Sequence, residues 1–154
     1  MPNLTGFTEV FQGDTSATAS VREVPLGTRG RDTDGNEYIY LQGVASGNFR
    51  DAVVFDEAHA TIRTVADSQG RLAVAMGTAL ANEFGWYQIY GRAQVNTGTV
   101  ADEGDVYLTS TDGSLDDADV AGDAVVGAKF RSANSNGSAI IELNYPFCHD
   151  VAID

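Results

Sequence analysis

Nucleophilic catalysis needs a serine, threonine or cysteine beside a base, and that base is usually histidine. The chain has two histidines, His59 and His149. His59 lies in Glu57-Ala58-His59-Ala60, a segment that reads as a connection between strands. No serine sits in a nucleophile-elbow pattern. His149 follows the single cysteine, Cys148. Two adjacent residues do not make a metal site, and one cysteine cannot form an intrachain disulfide. Paired carboxylates could serve glycoside hydrolysis. With 22 acidic residues in the chain, some pair at any chosen separation arises by chance, and nothing selects one.

Two acidic stretches have the residue types of a calcium site. Asp32-Thr33-Asp34-Gly35-Asn36-Glu37 has the opening of a calcium loop but lacks the distal glutamate of an EF-hand. Asp112, Asp116, Asp117, Asp119 and Asp123 form the second group, which reads as a solvated acidic loop. No cysteine and histidine set has zinc spacing, and no glycine-rich phosphate loop precedes a helix. The expectation is a protein that is not an enzyme and requires no cofactor.

Charge narrows the partners. Nine basic residues stand against 22 acidic ones, for a formal net charge of −13. Such a surface repels polyanions and anionic membranes, so direct nucleic-acid and membrane binding are not expected. No apolar run reaches the length of a membrane span, and the start lacks the pattern of a secretory signal. Asn3-Leu4-Thr5 and Asn136-Gly137-Ser138 match the glycosylation sequon by chance in a chain rich in Asn, Ser and Thr.

The elements that would position any site are strands. Glu83-Phe84-Gly85-Trp86-Tyr87-Gln88-Ile89-Tyr90-Gly91 holds the only tryptophan and is bounded by glycines. It predicts a central strand packed on both faces, with Trp86, Tyr87, Ile89 and Tyr90 as core residues. Other strands are predicted at Glu37 to Gln42, Ala52 to Phe55, Ala60 to Val65 and Leu72 to Met76. More follow at Asp105 to Thr109, Val125 to Arg131 and Ala139 to Leu143, with Arg92 to Asn96 continuing the tryptophan strand past a bulge at Gly91. Alternation of large residues with alanine in Leu72 to Met76 would let another layer approach closely. Thr78 to Phe84 is the one stretch with the composition of a short helix. Pro146 is expected to end the last strand, leaving Phe147 to Asp154 as a tail.

Strands at about ten-residue spacing with Gly, Asn and Asp turns predict an all-β sandwich or barrel. The domain is expected over residues 37–154, after an extended N-terminal arm at 1–36. The arm is polar but carries Phe7, Val10 and Phe11 as apolar anchors. Arg22, Arg29 and Arg31 gather near its end, reversing the local charge. These six residues are the expected contacts with a partner surface or a neighbouring subunit.

Three stretches carry a family resemblance. They are Pro25-Leu26-Gly27-Thr28 with Asp34-Gly35-Asn36-Glu37-Tyr38-Ile39-Tyr40, then Phe84-Gly85-Trp86-Tyr87-Gln88-Ile89-Tyr90-Gly91, then Ala124-Val125-Val126-Gly127-Ala128 with Ala139-Ile140-Ile141-Glu142-Leu143. In order and spacing the chain resembles the small head decoration (capsid cement) proteins of tailed bacteriophages. The resemblance implies a compact, β-tulip-like domain that binds the outer face of an assembled capsid, often as a trimer. It implies the major capsid protein and further copies of itself as partners. The location it implies is the virion surface, after synthesis in the host cytoplasm. It carries over no catalytic residues. A second reading is a carbohydrate-binding or adhesion module of a head fibre or tail, with Trp86, Tyr87 or Tyr90 stacking on sugars.

Overall fold

A computed structural model of the chain describes residues 14–149. Phe7, Val10 and Phe11 lie outside the described residues. The described part is all β, with eleven strands and no helix. The strands are β1 (Thr18–Ala19), β2 (Arg29–Arg31), β3 (Glu37–Gln42), β4 (Ala52–Phe55), β5 (Thr61–Arg63), β6 (Gly70–Ala75), β7 (Phe84–Asn96), β8 (Gly104–Leu108), β9 (Leu115–Asp116), β10 (Ala124–Phe130) and β11 (Ser138–Cys148). They join in one sheet with antiparallel strand pairing throughout, whose main path runs β2-β3-β7-β6-β11-β10-β8-β9.

The aromatic strand is the hub. β7 is 13 residues long and pairs with β1, β3, β6 and β11. Its first half lies between β3 and β6, and its second half runs beside β11 from Asn144↔Tyr90 to Ser138↔Asn96. Beyond Asn144, β11 leaves β7 and pairs Phe147 and Cys148 with the start of β6. β6 therefore fills the fork between β7 and β11.

Two apolar cores follow from this branching. β4 and β6 are buried on both faces, which is why Ala52-Val53-Val54-Phe55 and Leu72-Ala73-Val74-Ala75 are continuous apolar runs. Ala52, Val54, Leu72 and Val74 face a core built with Ala93, Val95, Phe130, Ile141 and Leu143. Val53, Phe55, Ala73 and Ala75 face a second core with Ile39, Leu41, Tyr87 and Ile89. Ala75 lies opposite Tyr87 in the β6–β7 register, so the small residue leaves space for the ring. Full burial of one such Leu or Ile contributes about 1.5–3 kcal/mol.

A third cluster covers the other face of β3 and β7. Tyr38, Tyr40 and Trp86 pack beneath Val24, Leu26, Met76 and Phe84. Tyr40 meets Trp86 edge-on at 5.1 Å between centroids, and its hydroxyl accepts a hydrogen bond from the Glu23 N–H. Trp86 is 7 % exposed.

Four expectations are corrected. Residues 14–36 do not form a separate extended arm: β1 pairs with β7, β2 pairs with β3, and Val24 and Leu26 cover the Trp86 face. Strands of two or three residues are too short to show a period of two. Thr78 to Phe84 forms no helix. Leu80 and Glu83 close a turn in which the Glu83 carboxylate accepts from the Leu80 N–H, and Asn82 takes a left-handed φ of 64°. Pro146 does not end β11. It sits at a bulge, between the pairs Ala128↔Leu143 and Val126↔Phe147, where the ladder skips and a missing N–H costs little. Tyr90 belongs to β7 but not to the core, being 38 % exposed.

Candidate functional site

The residues that invited chemistry at the start have structural employment. The Asp32 carboxylate accepts hydrogen bonds from the Asp34 N–H, the Asn36 N–H, the Asn36 side-chain amide and the Tyr38 hydroxyl, all at 2.7–2.9 Å. Partial burial pushes its pKa up. The bonds from Asn36, Tyr38 and Asp34 outweigh that and hold it below the ordinary carboxylate value. Burial first, and then the Asp32 carboxylate that it donates to, raise the Tyr38 hydroxyl.

Three carboxylates of the second acidic group likewise accept from backbone N–H groups. Asp116 accepts from the Ala118 N–H, Asp117 from the Ala101 N–H and Asp123 from the Asp67 N–H. Burial raises Asp116, an effect the Ala118 bond partly offsets. Among the described residues no three His, Cys, Asp or Glu side chains come together as a metal site.

Cys148 and His149 point apart. Cys148 is fully buried in the larger core, where burial pushes its thiol up to about 12. The His149 ring lies against Phe147, 4.9 Å between centroids, on the opposite side of β11. The His59 ring packs against Gly27, in the turn that follows Pro25.

One polar knot was not legible beforehand. Asp51, 1 % exposed, accepts from Arg63 Nε at 2.7 Å, the Asn48 N–H at 2.9 Å and the Asn96 amide at 3.0 Å. Arg63 also donates to the Asp112 carbonyl. The knot ties the loop before β4 to β5, to the end of β7 and to the turn before β9. Its members lie far apart in sequence and share no motif, so no local signal announces it.

The surface that stands out is the outer face formed by β2, β3, β7, β11 and β10. Arg31↔Glu37, Glu37↔Tyr90 and Tyr90↔Asn144 are successive cross-strand pairs. Glu37 is the anionic centre of this row. Arg29 and Arg31 approach its carboxylate at 3.8 and 3.5 Å, and the Tyr145 hydroxyl donates to it. That bond, with burial as the lesser cause, raises the Tyr145 hydroxyl. The Tyr145 ring packs against Tyr90 at 5.3 Å between centroids, and the Arg29 guanidinium stands 5.9 Å from its centre.

Phe147 and Val126, opposite each other on β11 and β10, extend the apolar part of the face, and both are exposed. Beside them lies an open depression of about 470 Å³, lined among others by Asp105, Val126, Lys129, Arg131 and Asn144. Lys129 pairs with Asp105 at 3.4 Å, and Arg131 with Glu142 at 2.6 Å and Glu103 at 3.8 Å. Arg92 projects next to this group, directly across from Glu142.

Two glycines with left-handed φ aim these side chains, one just past the β3–β7 register shift and one at the β10–β11 bulge. Gly91 has φ +97°, and a Cβ there would lie 2.1 Å from the Asn36 side-chain oxygen, which accepts the Arg92 N–H. Gly127 has φ +80° and lies against the Asn144 carbonyl, where a Cβ would come within 2.6 Å. Opposite it, Asn144 and Tyr145 both face outward, and Tyr145 takes a left-handed φ of 50°.

Of the expected contact residues, the structure brings Arg29 and Arg31 together on this face. Arg22 is exposed and is not one of the arginines paired with Glu37. Tyr90, Tyr145, Phe147 and Val126 were not foreseen as a patch. The signal was the run Asn144-Tyr145-Pro146-Phe147, which reads as a tail only if the proline is taken as a stop. No family model matches the chain, and no curated protein matches it.

Proposed function

We propose that the chain is a structural virion protein that binds the outer surface of an assembled tailed-phage head and stabilises it, acting as a homotrimer. The observation that carries this reading is the aromatic face centred on Tyr90 and Tyr145. Beside it Arg29, Arg31, Lys129 and Arg131 are ion-paired, within a chain of net charge −13. A contiguous exposed apolar patch rimmed by polar groups is the mark of a protein-binding surface. The polar groups on it are paired with one another rather than converging on an enclosed cavity. The stretches that resemble decoration proteins are also neighbours in space: β3, β7, β11 and β10 carry most of them and pair in that order. A ligand that binds only the assembled shell stabilises it by mass action.

The experiment is co-sedimentation. Purified chain is mixed with heads, lacking this protein, of the virus that encodes it. Saturable pelleting with the heads is expected, and a chain left wholly in the supernatant would defeat the reading.

The carbohydrate-binding alternative keeps one point in its favour, the exposed aromatics Tyr90, Tyr145 and Phe147. Trp86 and Tyr87 are buried, and the Tyr145 ring already contacts Tyr90 and Arg29. A glycan array giving specific binding that is lost in Tyr90→Ala would favour this alternative.

A further inference from the structure

The loop between β3 and β4, residues 43–51, is held by its backbone. The Arg50 N–H donates to the Ala75 carbonyl at 2.9 Å, and the Arg50 carbonyl accepts from the Asn96 N–H at 2.9 Å. The Asn96 amide bridges the Phe49 carbonyl and the Asp51 carboxylate, each at 3.0 Å. Asp51 in turn is fixed by Arg63 and lies so close to Gly113 that a Cβ there would come within 2.6 Å of it. None of these bonds uses the Arg50 side chain. Arg50 nevertheless takes a left-handed φ of 68°, and Ser46 one of 64°. Non-glycine residues adopt this conformation at a cost that the surrounding structure must override, and such residues gather at binding sites. The side chains so presented form a stack. The Arg50 guanidinium lies 4.6 Å from the centre of the Phe49 ring, and Phe49 is 46 % exposed. Arg50 Nε is buried and unpartnered, and among the described residues nothing accepts from the guanidinium. Arg71 stacks on Phe55 in the same way, but Phe55 is buried and Arg71 donates to the Asp56 carbonyl at 3.0 Å, so that pair is complete within the chain.

We propose that Phe49 and Arg50 form a recognition site for one carboxylate side chain of a protein partner, an aspartate or glutamate set among apolar residues. A guanidinium stacked on a ring keeps its in-plane N–H groups free, and a carboxylate matches that fork. With Nε buried, the two terminal nitrogens are the ones that meet it, end-on. The apolar neighbours of the carboxylate cover the Phe49 ring, and the loss of water strengthens the ion pair. A single acid is required, because a chain of net charge −13 repels a multiply acidic segment. A sugar fits less well. Its hydroxyls need acceptors as well as donors, and the side chains of Asn48, Asp51 and Asn96 beside the stack are engaged within the loop and the polar knot. The site shares no residue with the outer aromatic face, and it stands or falls apart from any binding to a phage head.

The test follows the arginine Nε–H signals of the full chain by NMR while a short end-blocked peptide, with one glutamate between leucines, is added. The Arg50 signal is expected to shift saturably, with a Kd in the millimolar range, and the signal of the exposed Arg22 to stay in place. Replacing the peptide's glutamate by glutamine is expected to abolish the shift, and Phe49→Ser to weaken binding several-fold. An Arg50 signal that does not move, equal movement at Arg22, wild-type affinity in Phe49→Ser, or an equal response to the glutamine peptide or to N-acetylneuraminate would each overturn the proposal. A second measurement needs no ligand. Arg50→Asn loses no hydrogen bond of the guanidinium to the chain, and asparagine takes the left-handed conformation more readily. Its melting temperature is therefore expected within about 5 °C of wild type, or above it. A larger fall would show that Arg50 serves the fold and would overturn its assignment to recognition.

Discussion

Gln88 shows how a single side chain makes the central strand possible. It is fully buried, and its amide donates to the Tyr90 and Arg92 carbonyls of its own strand, each at 3.0 Å. These carbonyls flank Gly91, just past Tyr90, the last β7 residue paired with β3. Gln88→Leu keeps the volume but removes both donors. We expect it to destabilise the fold by about 1–3 kcal/mol, the usual cost of an unsatisfied buried polar group, read as a lower urea midpoint with unchanged slope. Asp32 allows a pH test. Its folded-state pKa is depressed, so its contribution is complete above the unfolded value of about 3.9 and is lost as pH falls through the folded value. Asp32→Asn is therefore expected to be less stable than wild type at pH 7, by roughly 1–2 kcal/mol. The difference should shrink on acidification to below the folded-state pKa. A gap that stays constant would mean that the carboxylate's charge has no part in the loop.

At the scale of elements, strand existence was largely legible and strand ends were not. Glu37–Gln42 and Ala52–Phe55 match their expected bounds because both are short apolar runs closed by polar turns. The continuation of β7 past Gly91 was legible from the glycine. The course of β11 past Pro146 was not, because the tolerance for proline comes from a bulge set by Gly127 on the neighbouring strand. The packing of residues 14–36 was hidden for a similar reason. Val24 and Leu26 carry no period, and only the aromatic face of Tyr38, Tyr40 and Trp86 gives them a place. Of the candidate site, Arg29 and Arg31 were legible as a local charge reversal. Tyr90 was misread as core because alternation places it with Trp86, whereas the covering segment lies over the other end of that face. Gly91→Ala tests the kink at Gly91: with a left-handed φ and a backbone-bonded Asn36 against the new methyl, it is expected to cost about 1–3 kcal/mol, measured as a lower melting temperature. A melting temperature equal to wild type would show that β7 does not depend on this kink.

For the whole molecule, two cores divided by β4 and β6 support an outer face on which arginine and lysine are paired with carboxylates. Its strong overall charge suits a protein displayed on a surface, where it would discourage non-specific contacts. On the proposed reading the aromatic face centred on Tyr90 and Tyr145 docks on an existing shell and clamps it. The central claim is that this clamping stabilises the shell, and the direct measurement is the temperature at which heads disassemble, followed by calorimetry with and without the chain. The account predicts that saturating wild-type chain raises this temperature and that the increase grows with free chain concentration, as linkage requires. A disassembly temperature that does not change at any concentration of chain would contradict it.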